Sequence, residues 1–392
     1  GVSGSASSTG SFGQINLKSH PLRSIGSANL SFGSSALGVN TGAYNHVFGI
    51  DAMSYQTSGD RNTGFGYQAG RNNVTGDYNT FMGFSAGRGT TSGVYSNTVG
   101  IGNNAFYTIN DSSQGVAVGA DAGYSMTDGD RNVFIGNAAA YYTTTGNDII
   151  AIGANALTKN QTGYNIVAIG YQALYHQNVH SAVGIGNGAG YFSSGSSNVY
   201  VGTYAGYYQG NGTTNTYVGD SAGRGLGLSV ATANTGNTGI GGSALYSIQT
   251  GNYNVAVGGN SLSSLTTGTE NVSIGYEASQ KLTTHGQNVH IGRAAGRYAT
   301  GSYNTFVGKS AGAGNESAPY SSGQNNTAVG YQALAVFTTG NYNAAFGMEA
   351  LRVATTGYSN TSLGTFSLYD LNTGAQNVSI GFSSGENITD GN

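Results

Sequence analysis

The chain has 392 residues, a net charge of −3, only 7% charged residues, no cysteine and no tryptophan, against 68 glycines and 28 tyrosines. So weak a charge offers no basic stripe for phosphates and argues against a nucleic-acid partner. No apolar run approaches the length that crosses a bilayer, and the glycines keep no G-X-Y triplet, which sets collagen aside.

The first stretch, GVSGSASSTGSFG, carries neither a charged n-region nor an apolar h-region, so residues 1–28 read as a lead or attachment segment. From residue 29 one phrase recurs, N-[TV]-x-[VIF]-G-x-x-[AS]-[GL], as in NTGFGYQAG (62–70), NVFIGNAAA (132–140), NTYVGDSAG (215–223) and NTAVGYQAL (326–334). Its glycine falls at 33, 49, 66, 83, 102, 119, 136, 153, 170, 186, 202, 219, 241, 258, 275, 292, 308, 330, 347, 364 and 381, which makes 21 copies. Of the 20 intervals, 13 are 17 residues and four are 16, while 19, 22 and 22 stand apart. A short period with a strand-like phrase in every unit predicts an all-β, parallel β-solenoid of about 21 coils. A solenoid grows by adding coils, so 29–385 reads as one repeat domain and 386–392 as a C-terminal tail.

Within a coil such as NVAVGGNSLSSLTTGTE (254–270), Val255 and Val257 alternate with Ala256, the period-2 pattern of a strand with one buried face. This reading buries Val255, Val257, Ile274, Ile291, Val307 and Val329 and turns Ala256, Ser273, His290 and Phe306 outward. It also places Phe81, Phe134, Tyr200, Tyr217 and Phe306 on an outer face that packs against other chains. The repeat glycine turns the chain where a Cβ is forbidden by geometry or close approach. Three residues later a small residue recurs (Ala69, Ala86, Ala122, Ala173, Ala222, Ala278, Ala311, Ser384), as a thin coil requires. The opening asparagines, stacked in register, form a ladder of amide hydrogen bonds. Tyr44, Tyr78, Tyr253, Tyr303 and Tyr342 precede them as a partial aromatic column. Coils with glycines 102, 153, 170 and 186 carry an extra residue in the phrase, as in NIVAIG (165–170), to be absorbed by a bulge. Pro21 and Pro319 both avoid the regular coils, where every backbone N–H pairs.

The two intervals of 22 residues insert RGLGLSVATANTG (224–236) and AGAGNESAPYSSGQN (311–325) into the same part of the coil. Insertions in solenoids become loops, and loops on a rigid scaffold carry recognition. Arg224, Leu226, Leu228, Pro319 and Tyr320 are the candidate binding residues. No metal, cofactor or catalytic residue is marked. HQNVH (176–180) has a metal-like spacing but reads as strand and turn without an acidic or cysteine partner. Asp60-Arg61 and Asp130-Arg131 belong to the repeat's turn, and a carboxylate pair across stacked coils stays open.

NVSIGYEAS (271–279), NVAVGGNSL and NTAVGYQAL resemble the head repeats of trimeric autotransporter adhesins and the repeats of phage tail-fibre proteins. The resemblance implies a left-handed β-roll, association of three chains into one rod, and an extracellular, cell-surface or virion location. The 17-residue period implies a larger cross-section than the compact adhesin coil. The expected function is a non-catalytic adhesin or receptor-binding rod, homotrimeric, holding a host or cell-surface glycan or protein. Two alternatives remain: the subunit of a self-assembling extracellular filament, and a glycan-degrading phage tailspike.

Overall fold

A computed structural model describes residues 22–23, 28–90, 93–176, 178–227 and 233–391. They form an all-β parallel solenoid of about 20 turns with no helix, dividing into two compact units, Gly1–Gly129 and Asp130–Asn392. In the first unit, strands from Leu30–Phe32 to Val116–Val118 stand one per coil. Leu22–Arg23 pairs antiparallel with Leu30–Phe32 and covers the first edge. In the second unit, three- and four-residue strands from Val133–Ile135 to Val378–Ile380 pair in parallel, in register, with the same coil position always opposite itself. Residues 386–391 continue the last coil: Glu386, Thr389 and Gly391 carbonyls accept backbone N–H groups from Asp370, Asn372 and Ala375.

The strand register is the reverse of the one expected from apolar alternation. Ala256, Ser273, His290 and Phe306 are fully buried, as are Phe81, Phe134, Tyr200 and Tyr217. Val255, Val257, Ile291, Val307 and Val329 are only half-buried, and Ile274 is 38% exposed. The coil opens with an inward asparagine, so period-2 geometry sends the next residue out, the strand centre in, and the one after it out. Asparagine, not valine, sets the inside.

The inward strand centre varies from glycine to tyrosine because a second inward position, four residues after the repeat glycine, compensates for it. In five coils with a large centre that residue is glycine, Phe81 with Gly87, Tyr200 with Gly206, Tyr217 with Gly223, His290 with Gly296 and Phe306 with Gly312, while Phe134 is matched by Ala140. A Cβ on any of these glycines would enter the facing ring. Where the centre is small, leucine fills the space in many coils, as in Ala151 with Leu157, Ala256 with Leu262 and Ala345 with Leu351, all buried, although Ala117 is matched by Gly123 and Ser273 by Ser279. When both are glycine, adjacent coils fill in: Met53 lies over Gly64 and Gly70, and Leu174 with Tyr200 over Gly184 and Gly190. This tends to keep the section filled, as close packing demands.

The repeat glycine meets both conditions expected of it. Gly258 has φ +127, and a Cβ there would stand 2.6 Å from the carbonyl carbon of Gly275 in the next coil. The small residue three positions on is buried at Ala69, Ala86, Ala122, Ala173, Ala222, Ala278 and Ala311, and half-buried at Ser384.

The asparagine ladder is present. Eleven inward asparagines, Asn198 to Asn377, are linked without a break: each backbone N–H donates to the Oδ1 of the asparagine one coil earlier. Asn254 shows the full set, its N–H to Asn237 Oδ1 at 2.9 Å and its Nδ2 to the Gly268 carbonyl at 2.9 Å. Asn29, Asn45, Asn62 and Asn79 form the same ladder in the first unit. No bulge occurs in the four exceptional coils. There Thr98, Ile149, Ile166 or Ala182 takes the inward place, while Asn97, Asp148, Asn165 or Ser181 sits one position earlier with φ between +53 and +56. Their strands pair straight, Val167 opposite Ile150 and Ile169 opposite Ile152.

Candidate functional site

The described interior is lined mainly by small, aliphatic and aromatic residues beside a column of asparagines. Most of its polar groups are in the ladder or paired locally, as Tyr95 Oη donating to the Gly87 carbonyl at 2.7 Å, and Ser193 with Tyr200 at 3.0 Å. The side-chain amides of Gln56 and Asn160 and Nε2 of His290 are buried without a hydrogen-bond partner among the described residues. One of the buried titratable groups is His290. Its Nδ1 meets Ser279 Oγ at 2.6 Å, Ser279 meets Ser273 at 2.5 Å, and its ring stacks on Phe306 at 4.7 Å. Burial holds its pKa down to about 3, so the imidazole is neutral.

The outside has two distinctive regions. The first is the outer sheet face. In the second unit the third strand position is apolar in every coil, from Ile135 to Ile380, and the first is valine, isoleucine, threonine or alanine. Ile135, Ile185, Ile240 and Ile274 are each more than a third exposed. No charged residue enters either column there.

The second region is the corner that follows the inward leucine or glycine. Two residues per coil project there, and in three successive coils both are aromatic. Tyr175, Tyr191 and Tyr207 stack at 5.1 and 5.0 Å with ring planes within 6°. Beside them His176, Phe192 and Tyr208 stack at 4.5 and 5.5 Å. Rings of the two columns meet edge to face, at 71° to 84°. Backbone bonds from His176 N–H to Tyr191 O, and from Tyr208 N–H to Arg224 O, hold the coils in register. Lys159 lies over Tyr175 at 5.5 Å, and Arg224 stacks between Tyr208 and Tyr246 and donates to Tyr246 Oη at 2.7 Å. Burial, then Lys159, lowers the His176 pKa; burial, then neighbouring tyrosines, raises those of Tyr191 and Tyr207.

Among the loop residues singled out from the sequence, Arg224 joins this corner and Leu226 is 52% exposed just beyond it. Leu228 lies outside the described residues. Pro319, in a cis peptide bond with Ala318, and Tyr320 lie in the second loop, where Tyr320 stacks on Tyr298 at 5.9 Å. Both loops leave the coil from the same position, since Arg224 and Ala313 accept equivalent backbone bonds from Tyr208 and Tyr298. No hydrogen bond or ring contact among the described residues joins one loop to the other.

The metal-like HQNVH segment is dispersed: His176 is in the stack, Val179 is buried, and His180 packs on Tyr164 at 4.5 Å. Among the described residues no three metal-ligating side chains converge. Asp60 and Asp77 do come onto adjacent coils. One oxygen of each accepts a backbone N–H from the coil before, from Ala43 and from Asp60, at 2.6 and 2.7 Å. Arg61 turns away to stack between Tyr44 and Tyr78, and Arg131 pairs with Asp148 of the next coil at 2.6 Å. Tyr253, Tyr303 and Tyr342 are all more than half exposed at the expected position.

The sequence register missed the apolar outer face by assuming that valine and isoleucine are always interior. The doubled aromatic column was visible only after alignment on the repeat glycine, which places Tyr-His, Tyr-Phe and Tyr-Tyr (175–176, 191–192, 207–208) at one coil position. The class defined by this fold is the parallel β-solenoid. No protein-family model matches the chain, and no curated protein matches it.

Proposed function

We propose that the chain is a non-catalytic, extracellular or virion-borne fibre protein that self-associates as a homotrimer and attaches to a host or cell-surface target. The observation that carries this reading is the uncharged apolar outer face of the solenoid sheet. Parallel sheets are covered on both sides, and this one is covered by its own chain on only one. In the second unit the strip runs fifteen strands, which at one strand spacing per coil amounts to on the order of 700 Å². That approaches the roughly 800 Å² per partner of a stable interface. A second and third copy meeting face to face would bury it, leaving the aromatic corner and inserted loops outward for recognition. Repeated presentation on several chains gains by avidity and needs no chemistry.

The test is attachment. Fluorescently labelled protein should bind target cells or isolated envelope glycan saturably and be competed by unlabelled protein. Release of reducing sugar from those glycans would instead support the tailspike alternative, and absence of any saturable attachment would remove the adhesin reading.

A further inference from the structure

The doubled aromatic corner is more than the fold requires. The coil positions of His176, Phe192 and Tyr208 hold Ser247, Ser264 or Asp370 in other coils with the same strand pairing. A single stacked column is enough elsewhere, as at Tyr107 and Tyr124, 4.8 Å apart and within 5° of parallel, where Thr108 and Ser125 take the second position. In the second unit, six half-buried rings instead lie side by side over three coils, with a cation at each end. Lys159 lies over Tyr175 and Arg224 over Tyr208, and neither cation is in an ion pair among the described residues. In a chain with 13 lysines and arginines against 16 acids, that is a local positive excess.

We propose that this corner binds an acidic oligosaccharide lying along the stacking direction, a claim that rests on the adhesin reading and names its site. Ring spacings of 5.0 and 5.1 Å within the tyrosine column are close to the length of one pyranose in an extended chain. Four coil intervals separate Lys159 from Arg224, about 19 Å at one strand spacing per coil, so a chain of a few sugars reaches both cations. Within each column the ring faces already cover one another. What remains for a ligand is ring edges, phenol hydroxyls and C–H contact, which suit a chain of hydroxyls. Nucleic-acid bases need an open face on which to stack, and within these columns the faces are taken up by neighbouring rings. Carboxylates on the sugar supply the partner for the two cations.

Calorimetry with hexagalacturonate and oligosialate, against cellohexaose and oligothymidylate, tests the site. The Tyr191→Ser/Tyr207→Ser and Lys159→Gln/Arg224→Gln variants change positions where other coils tolerate small polar residues, and circular dichroism checks their fold. At least one acidic sugar should bind the wild type in a salt-dependent way, with both variants at least tenfold weaker and cellohexaose weaker than either. Unchanged affinity in folded variants, tighter binding of oligothymidylate, or failure of both acidic sugars to bind would each overturn the proposal. Cell attachment separates the two claims. Full attachment by the doubly substituted tyrosine variant sinks this site and leaves the adhesin reading standing, whereas a wild type that never attaches sinks that reading.

Discussion

At the scale of single residues, the interior works by exchange of volume between two positions of one coil. Phe306→Ala opens a cavity and should cost about 3–5 kcal/mol. Gly312→Leu alone drives a side chain into the Phe306 ring and should cost about as much as other overpacked cores, 1–3 kcal/mol or more. Together they recreate the Ala256–Leu262 pairing, so urea unfolding of the double variant should recover most of the loss. Additive losses would show that the coils do not compensate internally. His290 gives a pH test. Its folded pKa is near 3 and its ordinary value is 6.5, so the unfolded chain binds more protons between those values. The cost of charging His290 is therefore absent above about pH 7, grows as pH drops below 6.5, and reaches its full size near pH 3. At pH 4 the cost is roughly 3 kcal/mol. His290→Phe, which matches Phe81 and Phe134 in the same column, should flatten that part of the acid slope in thermal melts. An unchanged slope would place the acid sensitivity elsewhere.

At the scale of the strand and its coil, much was legible in the sequence. The glycine spacing and the asparagine phrase identify the solenoid, the ladder and the turn, because each depends on one residue type at one position. Register was not legible from hydrophobicity, since Val255, Val257 and Ile274 are outside and Ser273 is inside. The signal that resolves it is the inverse relation between centre and compensating residue, such as Phe306 with Gly312 against Ala256 with Leu262. It reads as noise when the centre is taken to face outward. Two substitutions separate the alternatives. Ser273→Asp places a charge in a dry, filled section and should abolish folding of its coils, whereas Ile274→Asp should leave circular dichroism intact. The opposite result would restore the discarded register. The ladder carries its own prediction. Asn271 accepts the Asn288 N–H at 3.1 Å and donates to Asn254 Oδ1 at 3.0 Å. Asn271→Ala strands buried partners and should destabilise by about 1–3 kcal/mol in urea titration. Because both long insertions leave the ladder unbroken, deleting 315–320 should change stability far less than that single substitution.

At the scale of the molecule, the two exteriors account for the composition. Valine and isoleucine, which an isolated globule would place in its core, are here spent on an outer face. Asparagine, alanine, leucine and a few aromatic rings fill the inside. Such a surface on a lone chain exceeds what soluble monomers normally show. Ile274→Asp combined with Ile240→Asp should therefore separate the copies without unfolding them, and unaltered association would move the interface elsewhere. In the proposed assembly the corner that carries Tyr191 and Arg224 occupies a different coil position from that face, so separation should weaken attachment through lost avidity while sparing single-site affinity. Sedimentation equilibrium of the folded wild-type protein tests the central claim most directly. Three times the chain mass of 39.7 kDa is the expected result. A stable species of single-chain mass would contradict it, and open-ended growth with concentration would point to a filament instead.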